Sequence, residues 1–240
     1  MLHYQEDIDY SDDEDNSWKV RRASVGCLSA LISTSQIDSL KSIYEKAATK
    51  LIGRIREREE NVQKDIFSCL VCLISQTVSL STTTTENLTS SHMELERTEN
   101  EVVMALGQRI PDMVHHSIKL LKDKNVSIRS KEGIIVVLHE LAKSFPELIK
   151  SEIPALISTM VFVLTTGGVL SGQKMSDTGM GASSSALKVT ALSFTKITLA
   201  IAETDDVKEP ATRLLEPLVS SMNEKYFKVR KPAKSHETDI

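Results

Sequence analysis

Between polar stretches the apolar residues of this chain return at intervals of three or four: Val20, Cys27, Leu28 and Leu31 in one segment, Leu40, Ile43, Ala47, Leu51 and Ile55 in the next. That is the period of a helix with one buried face, and the every-second-residue alternation of a strand is nowhere sustained. The pattern predicts helices over 17–33, 37–56, 60–78, 99–121, 125–144, 146–165, 186–203 and 208–222, with a ninth starting near Tyr226. Pro146 in "SFPE" and Pro210 in "KEPA" fall where a helix can begin, because the first turn has no intrahelical use for the N–H that proline lacks. Short turns of this kind imply antiparallel helical hairpins. Two linkers are longer: a Ser/Thr-rich insertion over 79–98, and one over 166–185 that holds five of the nine glycines. Their composition predicts disordered loops.

A short phrase recurs along the helices. Asp15 precedes Val20 and Arg21; Glu57 precedes Val62 and Gln63; Asp123 precedes Ile128 and Arg129; Glu224 precedes Val229 and Arg230. A weaker copy in "SSSALKVTALSF" keeps Val189 but has Ser184 in place of the acid. The apolar anchors 20, 62, 128, 189 and 229 are separated by 42, 66, 61 and 40 residues. Two of these intervals match the period of about 40–47 residues of HEAT and armadillo units, and removing the two insertions brings the long intervals toward the same value. The expected fold is therefore all-α: an α-solenoid of about four to five HEAT-like hairpins. Its expected bounds are 17–232, after an acidic inter-repeat loop or linker over 1–16 and before a disordered tail over 233–240. In each phrase the acid is expected to charge a helix N-terminus, the valine to enter the core, and the arginine to meet the acid of a neighbouring unit. Exposed pairs of that kind contribute a few tenths to about 1 kcal/mol each, so such a ladder would serve register more than stability.

Composition narrows the function classes. With 29 basic and 33 acidic residues well mixed and a net charge of −4, the chain lacks the basic field that draws proteins onto phosphate backbones. Nucleic acid is not an expected partner. A basic and then apolar N-terminal signal is missing, no run approaching a membrane span is evident in the sequence, and three cysteines make no disulfide framework. These features predict a protein of the cytoplasm or nucleus with no membrane partner.

The residues also carry a resemblance. "SWKVRRASVGCLSALIST" after an acidic run, then "LIGRIREREENVQKDIFSCL" and later "ALKVTALSF", resemble an internal segment of the cullin-associated, neddylation-dissociated family, most strongly from Asp12 to Ile74 and in step through Phe194. The Thr-rich and Gly-rich insertions and the terminal "KPAKSHETDI" depart from that family's pattern. The resemblance implies a HEAT-repeat scaffold that wraps unmodified cullins, the scaffolds of ubiquitin ligases. It further implies a role in the assembly and exchange of cullin-RING complexes of the SCF type, with or without the RING subunit as a contact. An importin-β-like transport receptor shares the helices, acidity and repeat length, and is the alternative.

The catalytic patterns in the sequence are incomplete. Cys69 and Cys72 have redox spacing, yet they sit in the apolar run "IFSCLVCLIS" with no second pair, so core packing is the expectation. In "GGVLSGQK" Gln173 displaces the lysine of a phosphate loop, and Lys143 stands where a zinc-protease helix opened by His139 would need its second histidine. No enzyme activity, cofactor, metal or small-molecule substrate is expected. Lys19, Arg22, Lys64 and Lys131 fall on the second helices of their units, which line the concave surface in HEAT arrays, and are the candidate partner-binding residues. Ser11 lies in "EDIDYSDDED", which has seven carboxylates in ten positions, and is followed at plus three by Glu14. Acidophilic kinases accept that spacing, which makes Ser11 a candidate phosphorylation site.

Overall fold

The computed structural model describes residues 16–82, 101–166 and 179–223, side chains at 179–183 and 204–206 excepted. Among the described residues there are helices and turns but no strand. In chain order the helices are α1 (Ser17–Thr34), α2 (Ile37–Ile43, continued by a π-helical Tyr44–Ala48 and by Thr49–Gly53), α3 (Glu60–Thr82), α4 (Ile110–Lys122), α5 (Ile128–Ser144), α6 (Ile153–Thr166), α7 (Gly179–Ile201) and α8 (Thr204–Met222). A helical stretch over 101–107 leads into α4, while a short helix Pro146–Ile149 and a 3-10 turn Lys150–Glu152 lead into α6.

The helices form two layers. Odd-numbered helices stack side by side, α1 on α3, α3 on α5 and α5 on α7; even-numbered helices do the same, α2 on α4, α4 on α6 and α6 on α8. Between the layers α2 meets α3, α4 meets α5, and α6 meets α7. Each even helix is thus the first, and the following odd helix the second, of an antiparallel hairpin. This is the α-solenoid of helical repeats that the spacing of anchors implied, with one continuous core of Leu, Ile, Val and a few aromatics between the layers.

Polar groups in that core are satisfied locally. Thr77 donates to the Leu73 carbonyl, so the Tyr44 hydroxyl donates to Thr77 Oγ1 at 2.7 Å and ties α2 to α3. Burial pushes the Tyr44 phenol up to about 12, although the charge of Arg109 acts the other way. Gln63 donates to the Ile55 carbonyl at 2.9 Å, and Ser127 caps α5 by accepting the N–H of Ser130 at 3.1 Å.

Several expected boundaries are corrected. The single helix expected over 99–121 breaks at Gln108–Arg109, because Pro111 has no N–H to give the carbonyl of Gly107 four residues back. The insertions expected at 79–98 and 166–185 are shorter among the described residues: α3 runs on through Thr82 and α7 begins at Gly179. Weak helix formers at 179–185 are carried by the run of apolar residues behind them, since adding a turn to a formed helix is far easier than nucleating one. The helix expected from 208 starts at Thr204 and takes Pro210 and Pro217 into its interior. Two stretches, Glu60–Ser81 and Pro146–Thr166, are long and apolar enough to cross a membrane by length and composition, contrary to the reading of the sequence. Both lie in the packed layers, and the second is interrupted by the 3-10 turn. The 1–15 segment with Ser11 and Asp15, the expected ninth helix with Glu224, Val229 and Arg230, and the tail over 233–240 lie outside the described residues.

Candidate protein-binding face

The N-terminal turns of α1, α3 and α5 hold most of the residues singled out in the sequence. Glu57 in the turn before α3 is reached by Arg21 Nε of α1 at 3.2 Å and by Arg54 Nη1 at 3.1 Å. Its side chain is 4% exposed. Burial alone would raise its carboxyl, but the N–H groups of Arg58 and Glu59 and the two guanidiniums outweigh that and hold it below the usual carboxylate range. This is one rung of the expected ladder. The next rung is built differently: Asp123 is met by Arg56 Nη2 at 3.2 Å, from the turn before α3, because the phrase on α3 has Gln63 in the arginine position and that residue is buried. The N–H of Asn125, 2.9 Å from its carboxylate, is the first of the groups that hold Asp123 low. Arg129 makes no ion pair with a described residue.

The expected anchors divide. Val62 is 1% exposed and Ile128 packs half-buried against the core, as the phrase implied. Val20 and Val189 are corrections: they are 67% and 66% exposed, on helices α1 and α7 that stand at the two ends of the described odd layer.

Of the four candidate binding residues, three are open to solvent on the odd layer. Lys19 is exposed, with its ammonium 5.6 Å from the ring centre of Trp18. Arg22 holds Asp65 of α3 through Nε at 2.7 Å and remains half-exposed. Lys64 is exposed and makes no ion pair with a described residue. Lys131 is the exception and a correction to the sequence reading: it is 2% exposed, and burial depresses its ammonium against the opposing pull of Asp123. The helical phase explains the error. Positions 129, 132, 133 and 136 share the outer face of α5, and position 131 points across the helix from them.

Arg129 therefore takes the place on the strip that Lys131 was given. With it the structure shows a groove of about 770 Å³ between α3 and α5, lined among others by Lys64, Phe67, Val71, Arg129, Gly133 and Val136. Gly133 is what lets the two helices close under it, since a Cβ there would lie 2.7 Å from Cδ2 of Phe67. Val136 is 48% exposed although it sits in the apolar run "IIVVL". The sequence reading missed Val136 by treating such runs as uniformly buried, and gave no role to Phe67 or Gly133. Stepping back from Val136 by three and by seven reaches Gly133 and Arg129, the signal that would have found the groove.

The cysteine pair lies in the packed layers, while the "GGVLSGQK" stretch with Gln173 lies outside the described residues. Cys69 is fully buried and its thiol is pushed up to about 12, first by burial, while Cys72 Sγ lies 3.7 Å from the Ser29 carbonyl. Cys69 thus lacks the thiolate character that redox chemistry needs. Among the described residues no three His, Cys, Asp or Glu side chains are grouped to hold a metal ion.

Comparison with known proteins adds what geometry cannot. The cullin-associated NEDD8-dissociated protein 1 of Arabidopsis thaliana is 33% identical over 216 residues, covering 90% of this chain. The chain is related to a segment of the cullin-associated NEDD8-dissociated proteins. The protein 1 of Drosophila melanogaster is 30% identical over 176 residues, or 73% of the chain, and the protein 2 of Mus musculus is 31% identical over 220 residues, or 92%. The chain spans 15%, 13% and 16% of the lengths of these three relatives. No family model matches it. The similarity to the Arabidopsis and mouse relatives runs through nearly all of the two-layered array rather than stopping at the tryptophan-basic phrase of α1.

Proposed function

We propose that this chain is a protein-binding scaffold segment that binds unmodified cullins and regulates the assembly and exchange of cullin-RING ubiquitin ligases, in the cytoplasm or nucleus. The observation that carries the reading is the relation of up to 92% of the chain to proteins named as cullin-associated. The face assigned to the cullin is the outer side of the odd layer, with Lys19, Arg22, Lys64 and Arg129 supplying charge and the α3–α5 groove supplying apolar surface. The RING subunit is a second contact in this reading. Exposed charges of this kind act on association rate and salt sensitivity more than on residence time.

The test is a binding titration against an unmodified cullin and the same cullin carrying its ubiquitin-like modifier. Binding is expected to the first and not the second. Reversing Lys19, Arg22 and Lys64 together to Glu is expected to weaken binding roughly tenfold at physiological salt, with the far-ultraviolet spectrum unchanged. Reversing Lys46, Lys50 and Lys119, exposed on the even layer, is expected to change it less than twofold. Equal loss from both sets, or from neither, contradicts the assignment of the face.

A further inference from the structure

The groove between α3 and α5 is graded along its length. Lys64 and Arg129 line one end, the ring of Phe67 lies against Gly133 in the middle, and Val71 and Val136 stand at the far end. The two walls are in step. Ser127 bonds Glu60 and Gly133 abuts Phe67, which seats α5 on α3 at an offset of 66–67 residues. The facing positions of each level therefore differ by no more than two residues, about 3 Å along the axis. The charge of the basic end is also uncommitted. Glu60, in the first turn of α3, accepts from Ser127 at 2.9 Å, and Glu132 meets Thr190 of α7 at 3.4 Å, so the carboxylates of the lining are held within the array. Lys64 and Arg129 pair with no described residue.

The three levels follow one another at steps of three and four residues on α3, and of four and three on α5, or about 4.5–6 Å per step. Side chains at i, i+3 or i+4, and i+7 of a helix laid along the groove repeat at that same interval. Same-side residues of an extended peptide repeat at about 6.6 Å and fall out of step by the third level. Both walls are helices whose backbone groups are already bonded, so they offer an extended peptide no ladder to join. We infer that the groove receives one helix of the cullin, carrying a carboxylate at the level of Lys64 and Arg129. Large aliphatic side chains three or four and seven positions away from that carboxylate cover Phe67 with Gly133, and Val71 with Val136. The carboxylate sets register by charge complementarity, and the aliphatic pair supplies the buried area. This inference rests on the cullin reading and gives it the chemistry of one contact.

A photo-reactive phenylalanine analogue is placed at Val136 of the full chain, or at Lys119 on the even layer as a control, and the chain is irradiated with an unmodified cullin. Adducts mapped by mass spectrometry are expected from position 136 on a cullin helix of that spacing, and none from position 119. Val136→Asp alters an exposed residue and is expected to weaken cullin binding at least about tenfold at an unchanged melting temperature. Lys64→Glu with Arg129→Glu is expected to weaken it as much, and reversing the mapped cullin carboxylate to Lys to restore about fivefold or more to that double variant and nothing to Val136→Asp. Should Val136→Asp melt early, the adducts and the charge swap decide alone. Cullin binding unchanged in Val136→Asp, a swap that restores nothing, no adduct from position 136, or adducts on an extended or basic segment, on a second copy or on this chain itself overturns the inference and leaves the cullin reading standing. A wild-type chain that does not bind unmodified cullin overturns that reading, and this inference with it.

Discussion

α1 and α3 carry the same pattern at an offset of 42 residues and meet different fates. Val62, Cys69 and Leu73 are buried where Val20, Cys27 and Leu31 are exposed, yet Ile74 and Ile32 are both fully buried. The shared position is the one that faces the neighbouring odd helix, and the differing ones face the even layer. Hydrophobic periodicity thus says which side of a helix can be buried, while the neighbours decide whether it is. In a repeat array each unit is completed by the next, so identical sequence signals carry different energies at an end and in the middle.

The largest test of that contrast is charge in the core. Leu70→Asp places an unpaired carboxylate at a fully buried site of α3 and is expected to cost more than about 4 kcal/mol and to unfold the surrounding units. Its counterpart Leu28→Asp on α1, where the side chain is half-buried, is expected to cost under about 2 kcal/mol. Thermal melts followed by circular dichroism compare the two, and equal losses would erase the distinction between end and middle.

A smaller effect is expected at the α3–α5 contact. Gly133→Ala drives a methyl against the ring of Phe67 and should cost about 1–3 kcal/mol, since the buried ring has little room to move. Gly26→Ala on α1 meets nothing within 4 Å and is expected to stabilise slightly through helix propensity, by under about 1 kcal/mol. Denaturant titration of both variants gives the signs. Smaller again is the loss of a cap. Ser127→Ala removes the acceptor for the Ser130 N–H and a 2.9 Å bond to Glu60, for an expected cost of about 1 kcal/mol. Asn16→Ala, at an N-cap whose side chain makes no cap bond, should stay within about 0.5 kcal/mol of wild type in the same titration.

The fold was largely legible because the helical period and the recurring acid-valine phrase are local signals, and the Arg21–Glu57 rung followed from them. What was not legible depends on neighbours. Lys131 reads as a surface cation until the phase of α5 is fixed, Val20 reads as core until the cover over α1 is examined, and Arg56 enters the ladder only because Gln63 turns inward to Ile55. The α3–α5 groove depends on a single missing Cβ at Gly133, which composition and spacing treat as a weak point in a helix.

Amide hydrogen exchange tests the central contrast most directly, at a protein concentration where the chain is monomeric. The mid-helix amides of α3 and α5 are expected to exchange only through cooperative opening of the array, and those of α1 from Ala23 to Ala30 at least about a hundredfold faster, a difference of about 2.7 kcal/mol in opening free energy. Equal protection in α1 and α3 would show that α1 is covered as α3 is, and would contradict the account.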